Sequence, residues 1–245
     1  MAHVTFIHGI ANKPPPQELL DQWCTALLDN DGVNLDDMGV TSSMVYWADL
    51  LYPEPVPEVA AQSQEALEAG GAVGAQDADM SWLLDVDPSE AAFVAAVGAE
   101  VGMAEVAPTL SEVADVIDPD SPLEAIPLPE FIKARLMRVF LRDVHHYLYD
   151  AEFSPREGES YRIRTTIRQR TVDALKEGSL QPGPHVLVTH SLGTVIAYDV
   201  LTGDADSPGV DSLITLGSPL GLSDLQTKLA PPWTKDEGQP SRRLG

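Results

Sequence analysis

A serine at the junction of an apolar strand and a helix is the first residue whose setting could support chemistry. Thr189-His190-Ser191-Leu192-Gly193 follows a run of apolar residues and precedes a helical pattern. A sharp strand-to-helix turn holds a serine hydroxyl out at the carboxyl end of a sheet, and the helix N-terminus adds free N–H groups beside it. Ser191 is therefore the candidate nucleophile, and a serine that merely caps the helix is the alternative.

A second turn lies at the end of the first strand, where His8-Gly9-Ile10 follows an apolar run. A strand that ends in His-Gly lets the backbone turn, so that the next N–H faces the serine. We expect the N–H groups of Ile10 and Leu192 to form an oxyanion hole. Removing one such donor typically lowers turnover by about 100- to 1000-fold.

The two motifs, in this order and on these elements, resemble the α/β-hydrolase superfamily and, more narrowly, its lipase-like serine esterases. The resemblance covers residues 1–52 and about 130–230, and the Gly-Ser-Pro turn at 217–219 is also similar to lipase-like members. The segment between the two regions, residues 53–129, lies in the usual place for a lid.

The resemblance implies a division of roles among a few residues. Ser191 would attack the substrate, and the N–H groups of Ile10 and Leu192 would bind the oxyanion, with no metal and no organic cofactor. Thr189 departs from the pattern, because it stands where the family usually has a glycine. Asp224, just after the Gly-Ser-Pro turn, is a candidate for the triad acid, and an ordinary surface carboxylate is the alternative.

The order of the triad is the larger departure, because these enzymes place a histidine after the serine. Here all six histidines precede Ser191. They are His3, His8, His145, His146, His185 and His190. We therefore predict that the last strands and the triad base are missing from this chain, or are carried on a C-terminal companion fragment of the same protein. A base supplied by His145 or His146 through an unusual geometry is the alternative.

Alternating strand-like and helix-like patterns place these motifs on an α/β fold. The sequence predicts a single domain over residues 1–245, with a mostly parallel sheet flanked by helices and joined by right-handed crossovers. The predicted strands are residues 3–7, 41–47, 185–190 and 213–216. The predicted helices are residues 17–29, 89–107, 130–149, 159–177 and 191–201.

Residues 53–129 are rich in Ala, Gly and acidic residues, and we interpret them as an acidic helical cap, or lid, inserted into the domain. No Lys or Arg lies between Lys13 and Lys133, whereas 24 of the 38 acidic residues do. The formal net charge of −23 excludes a generic nucleic-acid binder, since phosphate binding depends on Lys and Arg. The acidic insertion also disfavours docking on anionic lipid surfaces.

The sequence favours a cytoplasmic protein. It has no apolar run long enough for a transmembrane helix, and its first residues lack the pattern of a signal peptide. The single cysteine, Cys24, cannot form an internal disulfide, and we expect it to be a buried structural residue.

Two clusters of side chains receive structural interpretations. His145 and His146 are adjacent on a predicted helix and point about 100° apart, so we expect partly exposed histidines and no metal site. Four arginines on the next helix are expected to form a solvated face that pairs with acidic neighbours. They are Arg162, Arg164, Arg168 and Arg170.

The leading hypothesis is a serine hydrolase that cleaves a carboxylic ester, either a lipid or another small acyl ester, beneath the cap. The sequence does not separate esterase from thioesterase, amidase or acyltransferase. The alternative is a catalytically inactive α/β-hydrolase-like module for binding or signalling, which the absence of histidine after Ser191 favours.

Overall fold

A computed structural model of the protein describes residues 2–28, 32–56, 79–103, 130–203 and 208–229, with only the backbone of residues 130–133. These residues form an α/β fold built on one parallel sheet with helices packed against it. This confirms the predicted class. Within the described ranges, none of the helices combines the length and apolar character needed to cross a bilayer.

The central sheet has four strands, all parallel, in the order β2-β1-β5-β6. The strands in the described residues are β1 (His3–Ile7), β2 (Thr41–Val45), β3 (Glu152–Phe153), β4 (Tyr161–Arg162), β5 (His185–His190) and β6 (Ser212–Leu216). The short antiparallel pair of β3 and β4 stands apart from this sheet. Parallel neighbours whose strands end in register place the residues after Ile7 and His190 at the same sheet edge.

Six α-helices occur among the described residues. They are α1 (Pro16–Leu28), α2 (Pro88–Glu100), α3 (Glu130–Leu148), α4 (Ile163–Ser179), α5 (Leu192–Gly203) and α6 (Ser223–Leu229). Short 3₁₀ helices cover Ala48–Leu50, Ser81–Leu84 and Pro219–Gly221. The helix predicted for residues 159–177 begins later than expected, because the β3–β4 pair precedes it.

Helices cover both faces of the sheet. On one face, the Trp23 ring of α1 packs edge-on against Phe6 of β1, with 5.3 Å between centroids. On the other face, α4 approaches so closely that a Cβ at Gly178 would lie 2.5 Å from the ring of His185 and 2.7 Å from that of His3. Because successive side chains of a strand point to opposite faces, β1 contributes to both cores.

The arginines of α4 join neighbouring helices and loops. Arg164 and Arg168 both pair with Asp199 of α5, a buried carboxylate that also accepts a hydrogen bond from the Tyr147 hydroxyl at 2.8 Å. Burial alone would raise the pKa of Asp199, but hydrogen bonds from Arg164 and its other partners hold it below the usual range. Arg170 pairs with Asp49 at 2.6 Å. The expected pairing with acidic residues is therefore present, and at Asp199 it is buried.

The described part of the insertion contains helix α2, which starts as its sequence dictates. The Asp87 side chain accepts hydrogen bonds from the N–H groups of Ser89 and Glu90, and Pro88 occupies the first turn. The helix ends at Glu100, short of the predicted residue 107, and residues 104–107 lie outside the described ranges. Most of the predicted cap, residues 57–78 and 104–129, lies outside the described residues.

Strand β6 forms one edge of the sheet, and all of its residues are exposed. Its apolar side chains point to both faces: Leu213 is 37% exposed, and Ile214 and Leu216 are each 47% exposed. A strand with apolar residues on both faces has the composition of a central strand, although here it lies at an edge.

Candidate active site

Ser191 occupies a sharp turn between β5 and α5. Its backbone has φ of 50°, in the left-handed region that residues with a side chain rarely adopt. The strand ends at His190 and the helix begins at Leu192, so Ser191 alone makes the turn. Strained backbone of this kind is concentrated at functional sites.

The turn depends on two glycines because other backbone approaches it closely. A Cβ at Gly193 would lie 2.5 Å from the carbonyl oxygen of Ile7 and 2.8 Å from that of His8. A Cβ at Gly9 would lie 2.8 Å from Cβ of Ser191. The end of β1 and the start of α5 are thus in direct contact.

Hydrogen bonds connect the Ser191 backbone to neighbouring residues. The Ser191 N–H donates to the carbonyl of Leu216 at 2.9 Å, which ties the turn to β6. The Thr194 hydroxyl donates to the Ser191 carbonyl at 2.8 Å and therefore accepts from the Ser218 hydroxyl, also at 2.8 Å. No local pattern predicts this role of Thr194 and Ser218, because the two hydroxyls are 24 residues apart and meet only in the fold.

His8 is fully occupied by structural contacts. The Trp47 N–H donates to Nε2 of His8 at 3.0 Å, so Nδ1 carries the ring hydrogen and donates to the carbonyl of Gly9 at 2.8 Å. Burial, and to a lesser extent the Lys13 ammonium, lowers the pKa of His8 to about 3. His8 therefore shapes the turn after β1 and is not available as a base.

Two backbone donors beside the serine have no acceptor. Among the described residues, the N–H groups of Ile10 and Leu192 donate no hydrogen bond, although Leu192 is completely buried. The next amide along the first turn, that of Ala11, does donate, to Oδ2 of Asp143 at 3.0 Å. Ile10 and Leu192 are the predicted oxyanion donors, and that role stays a prediction.

None of the histidines pairs with the candidate nucleophile. Within the described residues, the Ser191 hydroxyl makes no hydrogen bond to any side chain. The His190 ring lies between Gly9 and Gly217 and faces Trp23 of α1, at 6.4 Å between centroids. His3 and His185 lie at the opposite end of the sheet, where β1 and β5 begin.

His145 and His146 are buried, which corrects the expectation that they are partly exposed. Nε2 of His145 is 2.7 Å from Oε2 of Glu90 in α2, and Trp82 contacts both rings. Burial, together with the neighbouring His145, lowers the pKa of His146 to about 3. The amphipathic pattern of α3 could not reveal that residues of the insertion cover this surface.

The remaining candidates have ordinary surroundings. Asp224 lies in the first turn of α6, half-buried, and no histidine of the described residues bonds to it. Cys24 is half-buried, with Sγ 3.7 Å from the Ser42 hydroxyl. No group of three His, Cys, Asp or Glu side chains that could hold a metal ion occurs in the described ranges.

Sequence reasoning missed one residue at the site, Asp143 of α3. It is completely buried and contacts the turn that follows β1. Its sequence signal is its spacing, since Val139, Asp143 and Tyr147 are four residues apart and share one face of the helix. A carboxylate on an apolar face requires buried partners.

No known protein family, curated protein or solved structure matches this chain.

Proposed function

We propose that the chain is the nucleophile-bearing part of an α/β-hydrolase-type serine hydrolase that cleaves a carboxylic ester. The observation that carries the proposal is the strained Ser191 turn together with the two unpaired N–H groups beside it. A plain capping serine has no need of a left-handed backbone or of tight packing against β1. The alternation of strands and helices and the parallel sheet are compatible with that fold.

In the proposed reaction, Ser191 Oγ attacks the ester carbonyl while a base takes the hydroxyl proton. The N–H groups of Ile10 and Leu192 bind the resulting oxyanion. Collapse of the tetrahedral intermediate expels the alcohol, which receives the proton from the protonated base, and water then hydrolyses the acyl-serine. The acidic residues of the insertion favour a neutral ester over a polyanionic one.

The base is the part of the proposal that the described histidines do not support. His8, His145 and His146 bond to other groups, and His3 and His185 lie at the opposite end of the sheet. None of the histidine rings in the described ranges bonds to the Ser191 hydroxyl. We propose that a histidine on a companion segment of polypeptide completes the site. Among the described residues β6 lies at an edge of the sheet, and its exposed apolar side chains offer this segment a place to pair. An intracellular location, consistent with a single cysteine, belongs to the same proposal.

The test is covalent labelling with a fluorophosphonate, followed by location of the modified peptide by mass spectrometry. We expect labelling confined to Ser191 in the wild type and none in Ser191→Ala, whose circular dichroism should be unchanged. Labelling elsewhere, or retention of ester hydrolysis by Ser191→Ala, would refute the role of Ser191.

The second candidate is a non-catalytic binding or signalling module of the same fold. The lack of a hydrogen bond between the Ser191 hydroxyl and any histidine ring, within the described residues, favours it. A folded wild type that the fluorophosphonate does not label, alone or with a companion segment, would support this candidate over the hydrolase.

A further inference from the structure

The turn after β1 is held in an unfavourable backbone conformation. Ala11 has φ of 69°, and the non-glycine residues that share this left-handed region in the described chain are Asp150 and Ser191. Such a conformation persists only where surrounding contacts enforce it. At Ala11 the enforcing contact is the hydrogen bond from its N–H to Oδ2 of Asp143, at 3.0 Å.

Every polar contact of Asp143 comes from a donor. Oδ1 accepts from Nε of Arg142 at 3.1 Å and from Nη2 of the same residue at 3.0 Å. The Tyr52 hydroxyl donates between the two oxygens, at 3.3 Å from Oδ1 and 3.1 Å from Oδ2. The Arg142 guanidinium also lies over the Tyr52 ring, 4.7 Å from its centroid. Tyr52 and Arg142 thus hold the carboxylate in place independently of its contact with Ala11.

We propose that Asp143 is a positioning residue, which clamps the Ile10–Ala11 turn so that the free N–H of Ile10 faces Ser191. The inference rests on the proposed hydrolase function, because it assigns the residue that sets one of the two oxyanion donors. The Ala11 N–H donates to Asp143, whereas the Ile10 N–H has no acceptor in the part of the chain that the structure describes. Asp143 does not touch the substrate in this role.

The sharpest variant is Asp143→Asn, which keeps the shape of the side chain. An amide has one acceptor oxygen and one NH₂ group. The NH₂ group must therefore face another donor, either the Ala11 N–H or the Arg142 guanidinium. Tyr52→Phe is the matched control with a milder effect, because it removes one donor and leaves the Ala11 contact in place. Ala11→Gly, which adopts positive φ freely, is the rescuing change.

Two measurements are made on each variant, at a temperature where all variants are folded. One is hydrogen exchange of the Ala11 amide, which does not depend on catalysis. The other is the rate of fluorophosphonate labelling at Ser191, with any companion segment that the wild type requires. For Asp143→Asn we expect at least tenfold faster exchange and at least tenfold slower labelling. For Tyr52→Phe we expect changes of less than threefold.

The rescue distinguishes positioning from general support of the fold. Asp143→Asn combined with Ala11→Gly should recover at least threefold in labelling rate without recovering thermal stability. Unchanged Ala11 exchange or unchanged labelling in folded Asp143→Asn would overturn the inference and leave the proposed function intact, as would a failure of the rescue. If Asp143→Asn does not fold, Asp143→Glu takes its place under the same criteria, because the extra methylene displaces the carboxylate from the Ala11 N–H and keeps its charge.

A different result identifies failure of the proposed function. If wild-type Ser191 is never labelled, the hydrolase proposal falls, and with it the catalytic meaning of the clamp. The exchange measurement then still decides whether Asp143 holds the turn.

Discussion

The two ends of the central sheet both carry histidines, but they satisfy their polar groups in opposite ways. At the amino end, the His3 ring is bonded on both nitrogens, to the hydroxyls of Thr41 at 2.8 Å and Ser43 at 2.9 Å. His185 is bonded to the Thr5 hydroxyl at 2.8 Å. None of the described strand residues at this end has a positive φ.

At the carboxyl end, the backbone itself is strained. Ala11 and Ser191, which both carry a Cβ, have positive φ, at 69° and 50°. Two N–H groups beside the serine have no acceptor among the described residues. Ligands bind at the carboxyl ends of parallel strands in open α/β sheets, and this difference between the ends follows that rule. In the described residues, positive φ and N–H groups without an acceptor lie at one end, whereas side-chain hydrogen bonds to hydroxyl groups dominate at the other.

We expect the largest loss in the free energy of unfolding when the pH is lowered. The pKa of His8 is lowered to about 3 by burial, as is that of His146, whereas an unfolded histidine titrates near 6.5. Since the unfolded state binds these protons first, stability is complete above pH 6.5 and is lost as the pH falls toward 3. Two such groups lower the free energy of unfolding by about 5 kcal/mol between pH 6 and pH 4.

The measurement is urea unfolding at several pH values. In His8→Gln the number of protons taken up on unfolding, which sets the slope of stability against pH, should fall by about one. His3→Gln, at the amino end, should weaken it less, because burial lowers the pKa of His3 to a smaller extent. Equal changes in the two variants would contradict the assignment of the acid sensitivity to the carboxyl end.

Thr5→Val tests the amino end by removing a buried acceptor and donor. The Thr5 hydroxyl is the hydrogen-bond partner of His185 Nε2, and Nδ1 of the same ring is already buried without one. We expect a loss of about 2 kcal/mol in the free energy of unfolding, because the ring is left without any partner. Labelling of Ser191 should be unchanged, since the change is at the far end of the sheet.

Thr41→Val is the matched control for this change. Its hydroxyl lies on an exposed residue, and His3 keeps its second contact to Ser43. We expect a loss below about 1 kcal/mol. A larger loss in Thr41→Val than in Thr5→Val would show that burial does not set the value of these contacts.

The sequence predicts the parallel strands and the serine turn because both depend on local patterns. The run from His185 to His190 and the glycine at position 193 are visible without any tertiary information. The β3–β4 pair was missed because strands of two residues fall below the length at which alternation can be recognised. Asp143 and the burial of His145 were missed because their partners, Ala11 and Glu90, are more than fifty residues away.

The smallest expected effect concerns the backbone strain that separates the two ends. Ser191→Gly should increase the free energy of unfolding by about 1 kcal/mol, because glycine adopts φ of 50° without a steric penalty. Ser191→Ala keeps the Cβ and hence the strain, so its stability should stay within about 0.5 kcal/mol of the wild type. Both variants lose the hydroxyl and should resist labelling equally. Chemical unfolding of the two variants therefore isolates the strain, and an equal stability for both would mean that the turn at Ser191 is not strained.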